Sequence, residues 1–229
     1  ELDAQIKRML QDPKADALVE NFAVSWLSLQ QLNTVNPSST EFDGSLRVAM
    51  RRETELLLES VIQEDQSIKA LLTADYTFVN ERLAEHYGIP NIRGSHYRKV
   101  SLAGTGRHGL LGHSSILTIT SAPNRTSPVI RGAWIMENLL GTPAPPPPPG
   151  VEVNLDDAPV EGAPITSLRQ RLEQHRQDPS CAACHNLMDP IGFALENFDA
   201  IGKFRDQTNG ISMNTGATFW DGTNFEGPD

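Results

Sequence analysis

Through most of the first third of the chain, apolar residues recur at every third or fourth position, the period of helices that bury one stripe. Leu2, Ile6, Met9 and Leu10 keep this spacing, and Pro13 or Asp16 opens a second helix carrying Leu18, Phe22, Trp26 and Leu29 on its apolar side. After a turn-rich stretch over 33–40, Leu46, Met50, Leu57 and Val61 continue the period. Arg51, Arg52, Glu53 and Glu55 on that helix read as a solvated charged face. A shorter helix is expected over 80–86, with Leu83 and Tyr87 one turn apart, Gly88 as its stop and His86 as a C-terminal helix histidine. From 88 to 121 the period fades into loop with short extended pieces such as 97–100. Pro128 then starts a helix whose apolar face is Val129, Trp134, Ile135, Leu139 and Leu140, closed by Gly141 and Pro143.

Five consecutive prolines, Pro145 to Pro149, force a polyproline II run and give the clearest boundary signal in the chain. The expected organisation is a helical module over 1–144, a proline strap or linker over 145–150 and a second module over 151–229. An acidic loop (Glu152, Asp156, Asp157, Glu161) leads to Thr166 or Ser167, either of which caps a helix carrying Leu168, Leu172 and His175. A further helix is expected over 190–198, with Asp189 as its cap and Glu196 on the surface. The Gly-, Asn- and Thr-rich tail from Thr208 reads as turns or short hairpins. The fold class predicted is mainly α, a helical N-terminal module followed by a small α-helical module with a loop-rich tail.

With 229 residues, 38% of them hydrophobic, the chain is long enough to bury a core of one large or two small domains. Nineteen Lys and Arg against 29 Asp and Glu leave a net charge of −10, which argues against nucleic acid or an anionic membrane as partner. No apolar run approaches the roughly 20 residues that span a bilayer. The start at Glu1 shows neither an initiator Met nor a signal peptide, so the sequence reads as a soluble, processed or trimmed piece.

The two cysteines fall together in Cys181-Ala-Ala-Cys184-His185. Two thiols three positions apart can add to the two vinyl groups of a haem, and the adjacent histidine then supplies a nitrogen to the iron. A thioredoxin-like redox pair, half of a zinc site and a plain disulfide compete with this reading. The first expects a preceding strand where this chain has a helix and Asp178-Pro179-Ser180. Zinc asks for four ligands, and no second cysteine pair exists.

The stretch from Cys181 through Asn186-Leu-Met-Asp-Pro-Ile-Gly-Phe-Ala-Leu-Glu-Asn-Phe-Asp199 to Arg205 closely resembles the haem-binding module of the planctomycete-type multidomain c-type cytochromes. Arg107-His-Gly-Leu-Leu-Gly-His-Ser-Ser115, continued by Arg125-Thr-Ser-Pro-Val-Ile-Arg-Gly132, resembles the join between that family's helical and haem modules. The proline strap, the ending over 221–228 and the helical opening agree with the same pattern. The resemblance implies one covalently attached haem c, export to the periplasm or cell surface, and no settled reaction.

Given a haem, Cys181 and Cys184 attach it and His185 is the proximal ligand of its iron. Met188, only three residues on, projects to the proximal side, so a distal ligand must come from elsewhere. Met213 and His113 are the first candidates, His108 and Met136 the others. Arg125 and Arg131, flanking the helix start at Thr126-Ser127-Pro128, are candidate propionate partners or simply tie that helix to the acidic loop. Electron transfer to a redox partner protein or to flanking modules is the first functional expectation. A peroxidase-like enzyme with an open iron and a haem-stapled interaction module are the alternatives.

Overall fold

The computed structural model describes residues 1–145, 168–177, 179–208 and 210–227. The proline run from 146 onward, the acidic loop and the expected caps Thr166 and Ser167 lie outside them. In chain order the elements are helix α1 (Leu2–Leu10), a broken helical run containing α2 (Val24–Trp26), the long α3 (Gly44–Gln63), α4 (Ala70–Thr73), strand β1 (Tyr76–Val79) and α5 (Glu81–Tyr87). Strand β2 (Arg98–Ser101), α6 (Ser114–Ile119), α7 (Pro128–Asn138), α8 (Leu168–His175) and α9 (Pro179–Phe193) follow. The short strands β3 (Gln207–Thr208), β4 (Ile211–Ser212), β5 (Gly216–Thr218) and β6 (Asn224–Glu226) complete the chain. β1 pairs antiparallel with β2, and the last four strands form two small antiparallel hairpins. The protein is mainly α, and the tail is built of hairpins.

Local chemistry explains most boundaries. Asp43, Asn80 and Ser127 each accept a bond from a first-turn amide, at Leu46, Leu83 and Ile130, and so cap α3, α5 and α7. α3 buries Leu46, Met50, Leu57 and Val61 as the period predicts. Its charged face divides: Arg51 and Arg52 pair with Glu55 and Glu59 near the surface, whereas Glu53 is fully buried.

Three of the expected elements need correction. The helix expected from Pro13 is a 3-10 turn (Pro13–Ala15), a π-helical stretch (Leu18–Ala23), α2 and a second 3-10 turn (Leu29–Asn33). The wider π turns rotate the buried face by about one position, so Val19, Ala23 and Val24 enter the core while Leu18 and Phe22 stay exposed. Within the loop expected over 88–121, the apolar run Ile116–Ile119 instead winds into α6, whose six residues are all buried. Finally, no helix starts at Pro190: α9 begins at Pro179 and runs continuously through the cysteines to Phe193.

The main core joins both halves of the sequence. Leu27, Leu29 and Leu32 meet Leu57, Leu117, Trp134 and Ile135, and from beyond the proline segment Met188, Ile191, Leu195 and Phe198. α7 and α9 meet backbone to backbone because glycine stands at both crossing points. Gly132 lies against the backbone of Met188, and Gly192 against the backbone of Pro128. This backbone-to-backbone seat fixes where the cysteine-bearing helix stands.

After α9 the chain returns as a loop locked onto α7. Arg131, 1% exposed, donates to the carbonyls of Leu195, Phe198 and Asp199 at 2.7 to 3.0 Å, to Glu196 at 3.0 Å and to Ser121 at 3.2 Å. Glu196 is therefore not a surface residue: it is 5% exposed, held by Arg131, Arg205 and the Thr126 hydroxyl. The next turn is gripped by the helical module, where His86 bonds the Ile201 carbonyl and Arg107 and Ser114 bond that of Gly202.

Candidate functional site

Pro179 stands in the first turn of α9, where its missing N–H costs nothing. Cys181 and Cys184 follow one turn apart, about 4.5 Å along the axis, both half-buried free thiols. Cys184 packs with Leu187 against the main core. The next residue, His185, is 15% exposed, and its Nδ1 lies 2.9 Å from Asp189 Oδ1, one turn further along. Asp189 is no helix cap: it sits inside α9, fully buried, with Arg176 Nε 3.8 Å from its other oxygen. A buried carboxylate on Nδ1 selects the tautomer with the proton there and leaves Nε2 as the lone-pair nitrogen. The signal for this pair was the four-residue spacing, concealed by the helix break expected at Pro190. The ring of His175, from α8, meets His185 edge-on at 5.1 Å between centroids.

Two soft thiols, one oriented imidazole and a carboxylate behind it fit the donor set of an attached haem. Among the described residues, no three His, Cys, Asp or Glu side chains gather in an arrangement able to hold a metal ion, so a zinc site at the pair finds no further donors there.

The remaining candidates fall in three places. Met213 and Arg125 share the lining of a cavity of about 670 Å³, together with Thr126, Arg169, Arg171 and Arg205. A second cavity of the same volume lies between Arg169, Arg176, Pro190, Phe193 and the β5–β6 hairpin. Arg176 links it to Asp189, while the cysteines and His185 line neither cavity. Arg131 is committed to the α9 loop as described, and Met136 is buried in the main core.

His113 lies in the third place, a buried polar network of the helical module. Its Nδ1 is 2.9 Å from Thr54 Oγ1, which bonds Ser115 in turn, and its Nε2 is 3.5 Å from Thr77 Oγ1. Thr77 and Tyr87 each donate to the Glu53 carboxyl at 2.6 Å. Arg107 stacks on the Tyr87 ring at 3.8 Å. Burial pushes Glu53 up to about 7 and, with the Arg107 charge, His113 down to about 3. Burial also lowers His86 to about 4.

The pH consequence follows by sign. Between 4.5 and 7 the native state holds a Glu53 proton that the unfolded chain has lost, so this contribution to stability fades as pH rises, by roughly 3 kcal/mol in all. Below 6.5 the unfolded chain protonates His86 and His113 while the native state does not, so their contribution fades as pH falls. Two histidines outweigh one glutamate, and stability peaks near pH 6.5 to 7. Glu53→Gln keeps the shape without the charge. Its stabilising effect in thermal or urea melts is expected to be about 2 kcal/mol larger at pH 8 than at pH 5.5. Equal effects at both pH values would contradict a raised Glu53.

Fold and site together define a mainly α protein that carries two thiols, an imidazole and a carboxylate on one helix. The comparisons are consistent with a planctomycete-type multidomain cytochrome family. Residues 1–89 match the family model PSD4, protein of unknown function (DUF1592), and residues 107–208 match PSCyt3, protein of unknown function (DUF1588). The PSCyt3 match thus takes in α6 and α7 as well as α9. No curated protein and no solved structure matches the chain.

Proposed function

We propose that this chain carries one haem c, attached at Cys181 and Cys184 with His185 as the proximal ligand, and works in electron transfer outside the cytoplasmic membrane. The observation that carries the reading is the His185 to Asp189 contact, since orienting Nε2 is what a carboxylate does behind a metal-bound histidine. When bound, the haem supplies a one-electron Fe(III)/Fe(II) couple. Asp189 holds the Nδ1 proton and fixes the ring. Leu187, Met188 and Ile191 anchor the helix and keep its inner side dry. Arg125 is the proposed propionate partner and Met213, beside it in the cavity, the proposed distal ligand. Both ring nitrogens of His113 are instead within reach of hydroxyls of the helical module. The electron passes to a redox partner protein or to flanking modules.

Oxidised and dithionite-reduced absorption spectra of protein from its native source test this. A sharp low-spin reduced spectrum, unchanged by carbon monoxide, is expected. A high-spin spectrum that shifts on adding carbon monoxide overturns the electron-transfer reading in favour of an open-iron enzyme. Asp189→Asn is expected to keep the covalent haem and raise its reduction potential, because the imidazole loses its anionic partner.

A further inference from the structure

We propose that the cavity between α8, the start of α7 and the β3–β4 hairpin is an oxyanion site. It takes a carboxylate, phosphate or sulfate borne on a partly apolar body.

The electrostatics point one way. The protein carries a net charge of −10, yet among the described residues Arg169, Arg171 and Arg205 line this cavity against two carboxylates, Glu173 and Glu196. Those two are already neutralised. Glu173 pairs with Arg169 at 2.9 Å, and Glu196 pairs with Arg131 at 3.0 Å and with Arg205 at 3.4 Å. Among these described groups the Arg171 charge is left in excess, and a partly enclosed wall of low dielectric strengthens its pull on an anion.

The donors are also held in position. Arg169 bonds the carbonyls of Asn214 and Gly216 and stacks over Phe193 at 4.6 Å. Arg205 bonds the Glu196 carbonyl. Such guanidiniums lose little freedom when an oxyanion arrives. A further observation is independent of the arginines: the Thr208 hydroxyl, on the same lining, is buried without a hydrogen-bond partner. A buried orphan hydroxyl is costly unless a ligand completes it. At about 670 Å³ the cavity exceeds what one inorganic anion fills, and Leu168, Phe193 and Met213 supply an apolar wall.

This chemistry has two possible sources, the propionate edge of the chain's own haem or a free anionic ligand, and only the first rests on the proposed cofactor. Citrate serves as probe, titrated calorimetrically at low salt into full-length protein in two forms, one made without haem maturation and one haem-loaded. The haem-free form is expected to bind citrate. Arg171→Gln is expected to weaken this by about tenfold, one charge-assisted hydrogen bond, and Thr208→Val to weaken it with no change in charge. Arg8→Gln, on exposed α1, leaves it unchanged. Loss of citrate binding on haem loading assigns the site to the propionates, and retained binding assigns it to a free ligand. Absence of citrate binding, or binding indifferent to Arg171 and Thr208 in variants whose circular dichroism matches the wild type, overturns the proposal. A failure of the haem reading shows separately, as native protein without a haem spectrum, and leaves the citrate arm intact.

Discussion

Gly192→Ala is expected to lower the stability of the fold by roughly 2 kcal/mol or more, net of the helix gain. A single methyl on an ordinary helix is favourable by about 1 kcal/mol relative to glycine. Here that methyl falls on the carbonyl of Pro128, at the first turn of α7. Backbone cannot rotate away as a side chain does, so α9 must slide off α7 and take Met188, Ile191 and the Arg131 clamp with it. Overpacking of this kind costs roughly 3 kcal/mol or more, so the clash outweighs the helix gain. Gly132→Ala, set against Met188 from the other side, is expected to behave alike. The check is the denaturation midpoint with near-ultraviolet circular dichroism, because Trp134 sits in the affected core. A melt within 1 kcal/mol of wild type, taken as about the threshold of an ordinary substitution, would mean that the two helices do not touch as described.

The second large effect concerns the cofactor. Cys181→Ala with Cys184→Ala is expected to abolish all haem that survives denaturation, since each thioether needs its own sulfur and the chain has no other cysteine. Either single variant keeps one attachment. His185→Ala is expected to retain the covalent link and lose the low-spin spectrum, because it removes an iron ligand and not a bond to the macrocycle. Haem retained covalently by the double variant would sink the assignment.

Much of the fold was legible because it rests on local rules. Asn80 and Ser127 cap where a short polar residue precedes an apolar period, and α3 buries the residues its spacing names. The failures share a cause, which is that tertiary contact overrode local preference. The π turns after Leu18 shifted a face that a regular helix period cannot place. Pro190 stopped nothing, since α9 is seated on α7 and keeps its course through it. Glu53 and Glu196 read as surface charges because burial of a carboxylate depends on partners distant in sequence: Thr77 and Tyr87 for one, Arg131 and Thr126 for the other. At the proposed site, the grouping of Cys181, Cys184 and His185 stood in the sequence itself. Asp189 required a continuous helix, and the arginine-lined cavity required the tail to fold back on α8.

The central claim is a haem held by covalent bonds. Its most direct test is the intact mass, under denaturing conditions, of protein purified from its native source, together with the reduced pyridine spectrum of the same sample. One haem added to the chain mass, with the spectrum of a macrocycle linked through two thioethers, is the expected result. A bare polypeptide mass, or one lower only by the two hydrogens of a disulfide between Cys181 and Cys184, would contradict the account.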